Sequence, residues 1–235
     1  MVAFWRWRMW SVLARRQPSA FLLAAQLLSL LLYPLMDNTQ TGRLLFGAVA
    51  LVVVPLALWV VRLSPVASIF GWLLAVPAMA LTLFGVLFDH AALLPFAAGL
   101  EAALYLYAAG GLILYMMRDD RVSADELFAA GATFTLLAWG FAYAFYLCQA
   151  IYPDSFTGFE PERPRTWMEL LFLSFTNLSA VGLGDVLPVN SPARVLVMLE
   201  QFAGVGYIAT VVSRLIGLTI VQQNAAKHPN RNSSE

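Results

Sequence analysis

The residues of this sequence that are best suited to chemistry form one short segment, Ser-Ala-Val-Gly-Leu-Gly-Asp at 179–185. Glycine at alternate positions, Gly182 and Gly184, allows backbone dihedral angles that are closed to residues with a Cβ atom. Successive carbonyl groups of such a segment can point toward one axis, and carbonyl oxygens arranged in this way replace the hydration shell of a cation. The segment therefore predicts a cation-binding backbone.

The residues just before this segment, 166–176, begin with a polar residue and continue with strong helix formers. A helix of about 11 residues reaches only about 16 Å, roughly half the hydrocarbon thickness of a bilayer. We therefore expect it to enter the membrane and return as a re-entrant helix, with its negative dipole end attracting a cation. Non-helical backbone at membrane depth persists only where protein buries it or water meets it, so residues 180–184 must line a cavity.

The composition places these residues in a membrane protein. Apolar residues make up 60% of the chain and charged residues only 12%, and the mean hydropathy is +0.73; a typical soluble domain carries about 25% charged residues. The formal net charge is zero and no long basic run is present, so a nucleic-acid partner is not expected. Cys148 is the only cysteine, which excludes an intrachain disulfide, and we expect it to be a small buried side chain.

Six apolar runs are long enough to cross a bilayer as helices, for which about 20 residues suffice. They lack the alternation of polar and apolar residues that a membrane β-barrel requires. The predicted fold is therefore an all-α membrane protein with six transmembrane helices and the re-entrant helix between the fifth and the sixth. The runs are 19–36, 44–63, 65–88, 91–117, 127–152 and 193–221.

Lys and Arg residues set the expected orientation because they accumulate in short cytoplasmic loops. They precede the first run, separate the second from the third, follow the fourth and follow the sixth. Both termini are therefore predicted to be cytoplasmic, in a multi-pass protein of the cell membrane (inner or plasma membrane). Trp and Arg residues in segment 4–10 indicate an interfacial anchor, and segment 36–39 has no small-residue cleavage site for a signal peptide.

Segment 179–185 resembles the filter pattern Thr-Thr-Val-Gly-Tyr-Gly-Asp of potassium channels, and the following Pro188 also fits that family. Phe-Leu-Ser-Phe-Thr at 172–176 resembles the end of the pore helix. Leu-Glu-Gln-Phe-Ala-Gly-Val-Gly-Tyr-Ile-Ala at 199–209 resembles the inner helix that lines the pore. The similarity covers about 127–217, and the first four runs share only their number with six-span channels of the bacterial type.

The resemblance implies a homotetramer around a K⁺-conducting pore, because one re-entrant loop cannot surround an ion. Ser179 would add a hydroxyl group, and Asp185 at the outer mouth would brace the selectivity filter or concentrate cations. No cofactor is expected beside the permeant K⁺, and the expected partners are identical copies and membrane lipids. The K⁺ ligands would be the backbone carbonyl groups of Ala180, Val181, Gly182 and Leu183.

Two departures from the family pattern leave the selectivity open. Ala180 replaces the threonine whose hydroxyl forms the innermost ion site, and Leu183 replaces the tyrosine that hydrogen-bonds to the pore helix. A weakly selective monovalent cation channel is therefore one alternative, and a non-conducting membrane sensor or assembly subunit is another. The fourth run contains no Arg or Lys, so it lacks the gating charges of a voltage sensor.

Further candidate residues lie in other predicted helices. Glu200 and Thr176 are candidate filter supports, and we expect Glu200 to be a protonated or hydrogen-bonded brace. Gly204 and Gly206 are candidate gating hinges, with close helix packing as the alternative. Glu101 is an ionisable residue inside a predicted span without an evident partner.

Gly-Leu-Gly-Asp at 182–185 also resembles the motif of intramembrane aspartyl proteases. That chemistry requires a second aspartate within the membrane, because two carboxyl groups divide the acid and base roles. The other aspartates fall in loops or at the ends of runs, so this alternative is disfavoured and no enzymatic activity is expected.

The charge-rich linker at 118–126 divides the chain into two membrane parts. The predicted organisation is an interfacial segment at 1–18, a four-helix domain of unknown role at 19–117, the cytoplasmic linker, a pore domain at 127–221 and a cytoplasmic tail at 222–235. The pore domain would contain an outer helix, the pore helix, the filter and the inner helix.

Overall fold

The computed structural model describes residues 17–36, 53, 55–59, 65–88, 90–118, 123–160 and 163–227, and this part of the chain is mostly helical. A 3-10 turn, Ala91–Leu93, precedes the helix Leu94–Met116, and a π-helical segment, Ile208–Val212, joins the helix Ser191–Tyr207 to the helix Ser213–Lys227. The described residues also contain two short strands, β1 (Phe156–Thr157) and β2 (Leu187–Pro188). The helices are α1 (Pro18–Met36), α2 (Pro65–Leu87), α3 (Leu94–Met116), α4 (Ala124–Ile151), α5 (Trp167–Leu178), α6 (Ser191–Tyr207) and α7 (Ser213–Lys227).

Three helices of the described residues are long and apolar enough to cross a membrane, and they correspond to the fourth, fifth and sixth predicted runs. They are Leu94–Met116, Ala124–Ile151 and Ser191–Asn224. The first and third runs correspond to shorter apolar helices, Pro18–Tyr33 and Ile69–Gly85. Most of the second run, the segment 1–16 and the tail beyond 227 lie outside the described residues. The count of six spans therefore stays a prediction.

The core lies around α4, against which α1, α3 and α5 pack. Small side chains allow two helix backbones to approach closely, and both α3 and α4 bury many alanines. Helix α2 packs against α3 and so lies in a second layer. The buried alanines of these two central helices are Ala97, Ala98, Ala102, Ala108, Ala109, Ala129, Ala132, Ala138 and Ala142.

The start of α4 is a junction of three helices. Ser123 and Glu126 form a capping box, in which Glu126 N–H donates to Ser123 Oγ (3.3 Å) and Ser123 N–H donates to Glu126 Oε2 (3.2 Å). The buried Asp125 carboxylate accepts the N–H and the hydroxyl group of Ser19 in α1 (3.0 and 2.9 Å) and the Tyr115 hydroxyl of α3 (3.4 Å). An anion at two helix N-termini is favourable because both present positive dipole ends. This junction fixes α1 to the bundle.

The long apolar helix Ser191–Asn224 is anchored on both sides of its π-helical segment. Before the segment, the Tyr207 hydroxyl donates to the Ala130 carbonyl oxygen of α4 (2.6 Å). After it, the Arg214 guanidinium donates to the Met116 carbonyl oxygen at the end of α3, where a cation also complements the helix dipole. π-Helical turns are rare and frequently occur at functional sites. Sequence analysis did not predict this turn, because its residues continue the apolar run.

Candidate ion-conducting site

Helix α5, the predicted re-entrant helix, begins with a capping box. Glu169 N–H donates to Thr166 Oγ1 (3.3 Å), and Thr166 N–H donates to Glu169 Oε2 (2.7 Å). The Arg163 guanidinium donates two further hydrogen bonds to the Glu169 carboxylate (2.8 and 2.9 Å). Partial burial raises the pKa of Glu169, but the hydrogen bonds from Arg163 and Thr166 outweigh this effect and lower the pKa to about 2. The first turn of α5 is therefore well stabilised.

Most of α5 is buried although the helix has only 12 residues. The Trp167 ring packs against Trp139 and Tyr143 of α4, at centroid distances of 6.0 and 5.5 Å. Helix α5 is about 18 Å long at 1.5 Å per residue, which is well below the length needed for a full membrane crossing. The structure thus places a short helix where 166–176 predicts one. Its buried leucines are Leu170, Leu171, Leu173 and Leu178.

Helix α5 ends in a Schellman motif. Ala180 N–H donates to the Asn177 carbonyl oxygen (3.0 Å), and Val181 N–H donates to the Thr176 carbonyl oxygen (2.9 Å). Ala180 occupies the C′ position with a φ of 60°, a left-handed conformation for which glycine is favoured. The Thr176 carbonyl oxygen also accepts Gly182 N–H (3.0 Å). The segment that follows α5 is thus fixed to the helix end by backbone hydrogen bonds.

We call residues 179–185 the glycine loop. Three of its residues at alternate positions, Ala180, Gly182 and Gly184, have positive φ angles of 60°, 59° and 76°. The sequence predicted unusual dihedral angles at the two glycines. It did not predict the positive φ angle of Ala180, although Ala180 lies in the same alternate register as the glycines. All seven residues are exposed in the single chain, and a Cβ atom on Gly182 would meet no atom within 4 Å. The loop therefore has open space around an unusual backbone.

A short ribbon holds the far end of the glycine loop. Strands β1 and β2 pair antiparallel, with Phe156 opposite Pro188. Val189 N–H donates to the carbonyl oxygen of the buried Ser155 (2.8 Å), and the Asn190 side-chain amide donates to the Ser155 hydroxyl oxygen (2.7 Å). Two-residue strands are too short to produce a periodic pattern, so the sequence did not predict this ribbon.

Arg165, a second residue that sequence reasoning missed, lies behind the outer end of the loop. Its backbone N–H donates to Gln149 Oε1 (2.8 Å), and Gln149 Nε2 donates to its carbonyl oxygen (3.0 Å). Its guanidinium is fully buried and donates to two carbonyl oxygens of the preceding loop. A Cβ atom on Gly158 would lie 2.6 Å from Arg165 Nη1 and 3.3 Å from the Asp185 carbonyl oxygen. Gly158 is therefore the spacer between this buried cation and the loop.

The two predicted filter supports contact α5 in different ways. Glu200 is fully buried, and its Oε1 contacts Ser174 Oγ, which also lies 2.8 Å from the Ala138 carbonyl oxygen of α4. The Thr176 hydroxyl donates within α5, to the Leu173 carbonyl oxygen (2.9 Å). Thr176 therefore holds the glycine loop through its carbonyl oxygen alone, whereas the Glu200 side chain joins α6 to α5.

The two predicted hinge glycines have different surroundings. A Cβ atom on Gly204 would collide with the backbone of Leu178 at the end of α5, whereas one on Gly206 would meet nothing within 4 Å. Gly204 thus serves the close packing of α6 on α5 in this conformation. A hinge role for either glycine stays a prediction.

The remaining candidate residues lie away from the glycine loop. The buried Glu101 accepts a hydrogen bond from the Thr82 hydroxyl of α2 (2.8 Å) and is also hydrogen-bonded to Tyr143 of α4, so its partners lie on two helices. Cys148 is buried, as expected. In the described residues, no group of three or more His, Cys, Asp or Glu side chains could hold a metal ion.

A protein-family model described as "Ion channel" matches residues 103–220, just over half of the 235-residue chain. The matched region runs from within α3 to within α7, and it includes α5, the glycine loop and α6. Comparisons with curated proteins and with solved structures gave no match. The apolar helices of membrane-spanning length agree with the family match. This chain is a membrane protein that belongs to the ion channel family.

Proposed function

We propose that this ion channel conducts monovalent cations, with a preference for K⁺, through the glycine loops of identical chains around one pore. The observation that carries the proposal is a short buried helix followed by a wholly exposed loop with positive φ angles at alternate positions. Exposed non-helical backbone at membrane depth is tolerated only where it lines a water-filled cavity. A pore shared between copies of the chain provides such a cavity.

In this proposal α5 is a re-entrant pore helix, and its C-terminal dipole end favours a cation at the loop. The Ser179 hydroxyl donates its hydrogen to the Phe175 carbonyl oxygen (2.7 Å), which leaves the oxygen lone pairs free to face an ion. Asp185 is exposed beyond the loop and adds negative charge at the outer mouth. The ion ligands would be the carbonyl oxygens of Ala180, Val181, Gly182 and Leu183, which replace the water around K⁺.

A tetramer is proposed because one loop cannot surround an ion and because the resemblance to potassium channels implies four. Helix α6 supports an assembly of copies, since several of its large apolar side chains are exposed in the single chain; Phe202 is 82% exposed. In the assembly these side chains would face neighbouring copies, the pore or lipid. Native mass spectrometry should therefore give four chains per particle.

A weakly selective cation channel is the second candidate function. Leu183 has no polar side-chain atom and is 64% exposed, so its side chain does not brace the loop against α5. The Asp185 carboxylate accepts the N–H of its own neighbour, Val186 (3.0 Å). A loop that is braced mainly at its start and beyond its end would discriminate less between K⁺ and Na⁺. Reversal potentials in opposed K⁺ and Na⁺ gradients distinguish the two functions.

We place the outer mouth, with β1 and β2, outside the cytoplasm and both termini in the cytoplasm of the cell membrane. The basic flanks of the predicted spans support this orientation. Residues 127–221 would form the pore domain, and residues 19–117 a membrane domain that packs around α4. The helices of the membrane domain at 19–117 would contact lipid as well as the pore domain.

Potassium flux into liposomes that contain the purified protein tests the proposal. We expect flux that depends on the protein, and no flux in empty liposomes. Absence of flux from an assembled protein would favour the non-conducting subunit instead. Equal permeability to K⁺ and Na⁺ would retain the pore and replace the K⁺ preference with weak selectivity.

A further inference from the structure

Three helices meet at one hydroxyl group, that of Ser174 in α5. Ser174 Oγ lies 2.8 Å from the Ala138 carbonyl oxygen of α4 and also contacts Oε1 of Glu200 in α6. Ser174 and Glu200 are both 0% exposed. The meeting point is one helical turn before the end of α5, next to the hydrogen bonds that fix the glycine loop.

The two contacts of Ser174 require two hydrogens. Two oxygen atoms 2.8 Å apart attract each other only when a hydrogen lies between them. The serine hydroxyl supplies one hydrogen and the Ala138 carbonyl group supplies none, so the second must come from Glu200. An ionised Glu200 would instead take the Ser174 hydrogen and leave two acceptor oxygens facing each other at the Ala138 contact. The geometry therefore favours a protonated carboxyl group at Glu200 over an ionised one.

The surroundings of Glu200 agree with this assignment. The groups that face it are Ser174 and Asn177 of α5, together with the α4 carbonyl group behind Ser174, and none of them ionises. In the part of the chain that the structure describes, all ion pairs lie among residues 160–169, so no cation pairs with Glu200. An unpaired buried charge costs several kcal/mol. Glu200 Oε2 and Asn177 Nδ2 are both buried without a hydrogen-bond partner.

We propose that Glu200 is a positioning residue that binds one proton per chain and holds α5 in place. It acts through two hydrogen bonds, one from the Glu200 carboxyl group to Ser174 Oγ and one from the Ser174 hydroxyl to the Ala138 carbonyl oxygen, which we call the relay. The inference rests on the proposed function, in which α5 carries the conducting glycine loop. Loss of the proton makes Glu200 Oε1 a hydrogen-bond acceptor. The Ser174 hydroxyl then donates to Oε1 and no longer to the Ala138 carbonyl oxygen, so the contact between α5 and α4 is lost. Helix α6 cannot move closer to compensate, because Gly204 already contacts the Leu178 backbone. The end of α5 then shifts with its loop, and conduction is lost at alkaline pH.

The pH dependence of K⁺ flux into liposomes tests this regulation. Wild-type flux should be present near neutral pH and should be lost as the pH is raised. The amide of Glu200→Gln donates to Ser174 at every pH, so this variant should keep its flux over the whole range. Glu101→Gln, the same change at another buried carboxyl group, is the matched control and should lose flux as the wild type does. An identical alkaline loss in Glu200→Gln would overturn the inference.

Infrared difference spectroscopy measures the proton without relying on conduction. The spectrum of the wild type minus that of Glu200→Gln should contain the C=O stretching band of a protonated carboxylic acid at neutral pH. The band should disappear over the same pH range as the flux. Absence of the band at neutral pH would show an ionised Glu200 and refute the relay. A protein with the band but without flux at any pH would instead refute the proposed function.

A second variant keeps the test decisive if Glu200→Gln does not assemble. Ser174→Ala then serves as the second variant, because it removes the middle of the relay and leaves the carboxyl group in place. Its flux at neutral pH should be reduced and should no longer fall with the wild-type pH profile. A wild-type profile in Ser174→Ala would contradict a role for the relay.

Discussion

Ala180 provides a quantitative test of the loop geometry, because it has a φ of 60° at a position where glycine is favoured. A residue with a Cβ atom in the left-handed conformation loses roughly 1–2 kcal/mol, which Ala180→Gly recovers. Glycine also has more freedom in the unfolded chain, which offsets roughly 0.4–1 kcal/mol of that gain. The centres of these two ranges differ by about 0.8 kcal/mol per chain, which corresponds to a rise of about 2–3 °C in the unfolding midpoint for a chain of this size.

Thermal unfolding of the purified protein, followed by circular dichroism, measures this shift. Ala103→Gly is the matched control, since Ala103 is exposed within α3, where glycine costs about 1 kcal/mol and should lower the midpoint. Ala180→Thr should also lower it, because a branched Cβ is poorly tolerated at positive φ. A lower midpoint for Ala180→Gly, like that of the control, would show that Ala180 is not left-handed in the assembled protein and would refute the Schellman assignment.

Two further predictions concern the membrane topology and the ion pair at the start of α5. In a Cys148→Ala background, the variants Phe159→Cys and Gln223→Cys each place one cysteine at an exposed position; Phe159 is 96% exposed. A membrane-impermeant maleimide should react with these two cysteines from opposite sides of the membrane. Labelling of both cysteines from the same side would exclude the proposed topology. The lowered pKa of Glu169 means that its ion pair stabilises the fold fully above about pH 4.3 and less as the pH falls toward about 2. The acid dependence of the unfolding midpoint should therefore be weaker in Arg163→Gln, and an unchanged profile would contradict the role of this ion pair.

The parts of the fold that follow from local patterns were predictable. The long apolar runs gave the positions of α3, α4 and α6, because each contains enough residues to cross a bilayer. Helix formers after a polar start gave α5, and the alternate glycines gave the unusual backbone of Gly182 and Gly184.

The remaining features depend on contacts between distant residues. Alanine ordinarily favours right-handed conformations, so the residue type at 180 does not mark the positive φ of Ala180, although its register with Gly182 and Gly184 is consistent with it. Arg165 is buried because Gln149 and the preceding loop fold around its backbone and guanidinium. Glu200 was expected to act as a brace, but its contact with Ser174 joins α5 and α6 in three dimensions, and no spacing in the sequence encodes that pairing.

Potassium flux through Gly182→Ala tests most directly whether the glycine loop conducts. A Cβ atom there meets nothing within 4 Å in the single chain, so its effects come from the positive φ of 59° and from space shared between copies. Gly110→Ala is the control, because its Cβ atom also meets nothing within 4 Å but Gly110 lies within α3. We predict that the assembled Gly182→Ala protein carries no flux while Gly110→Ala conducts as the wild type does. Wild-type flux through Gly182→Ala would contradict conduction by this loop.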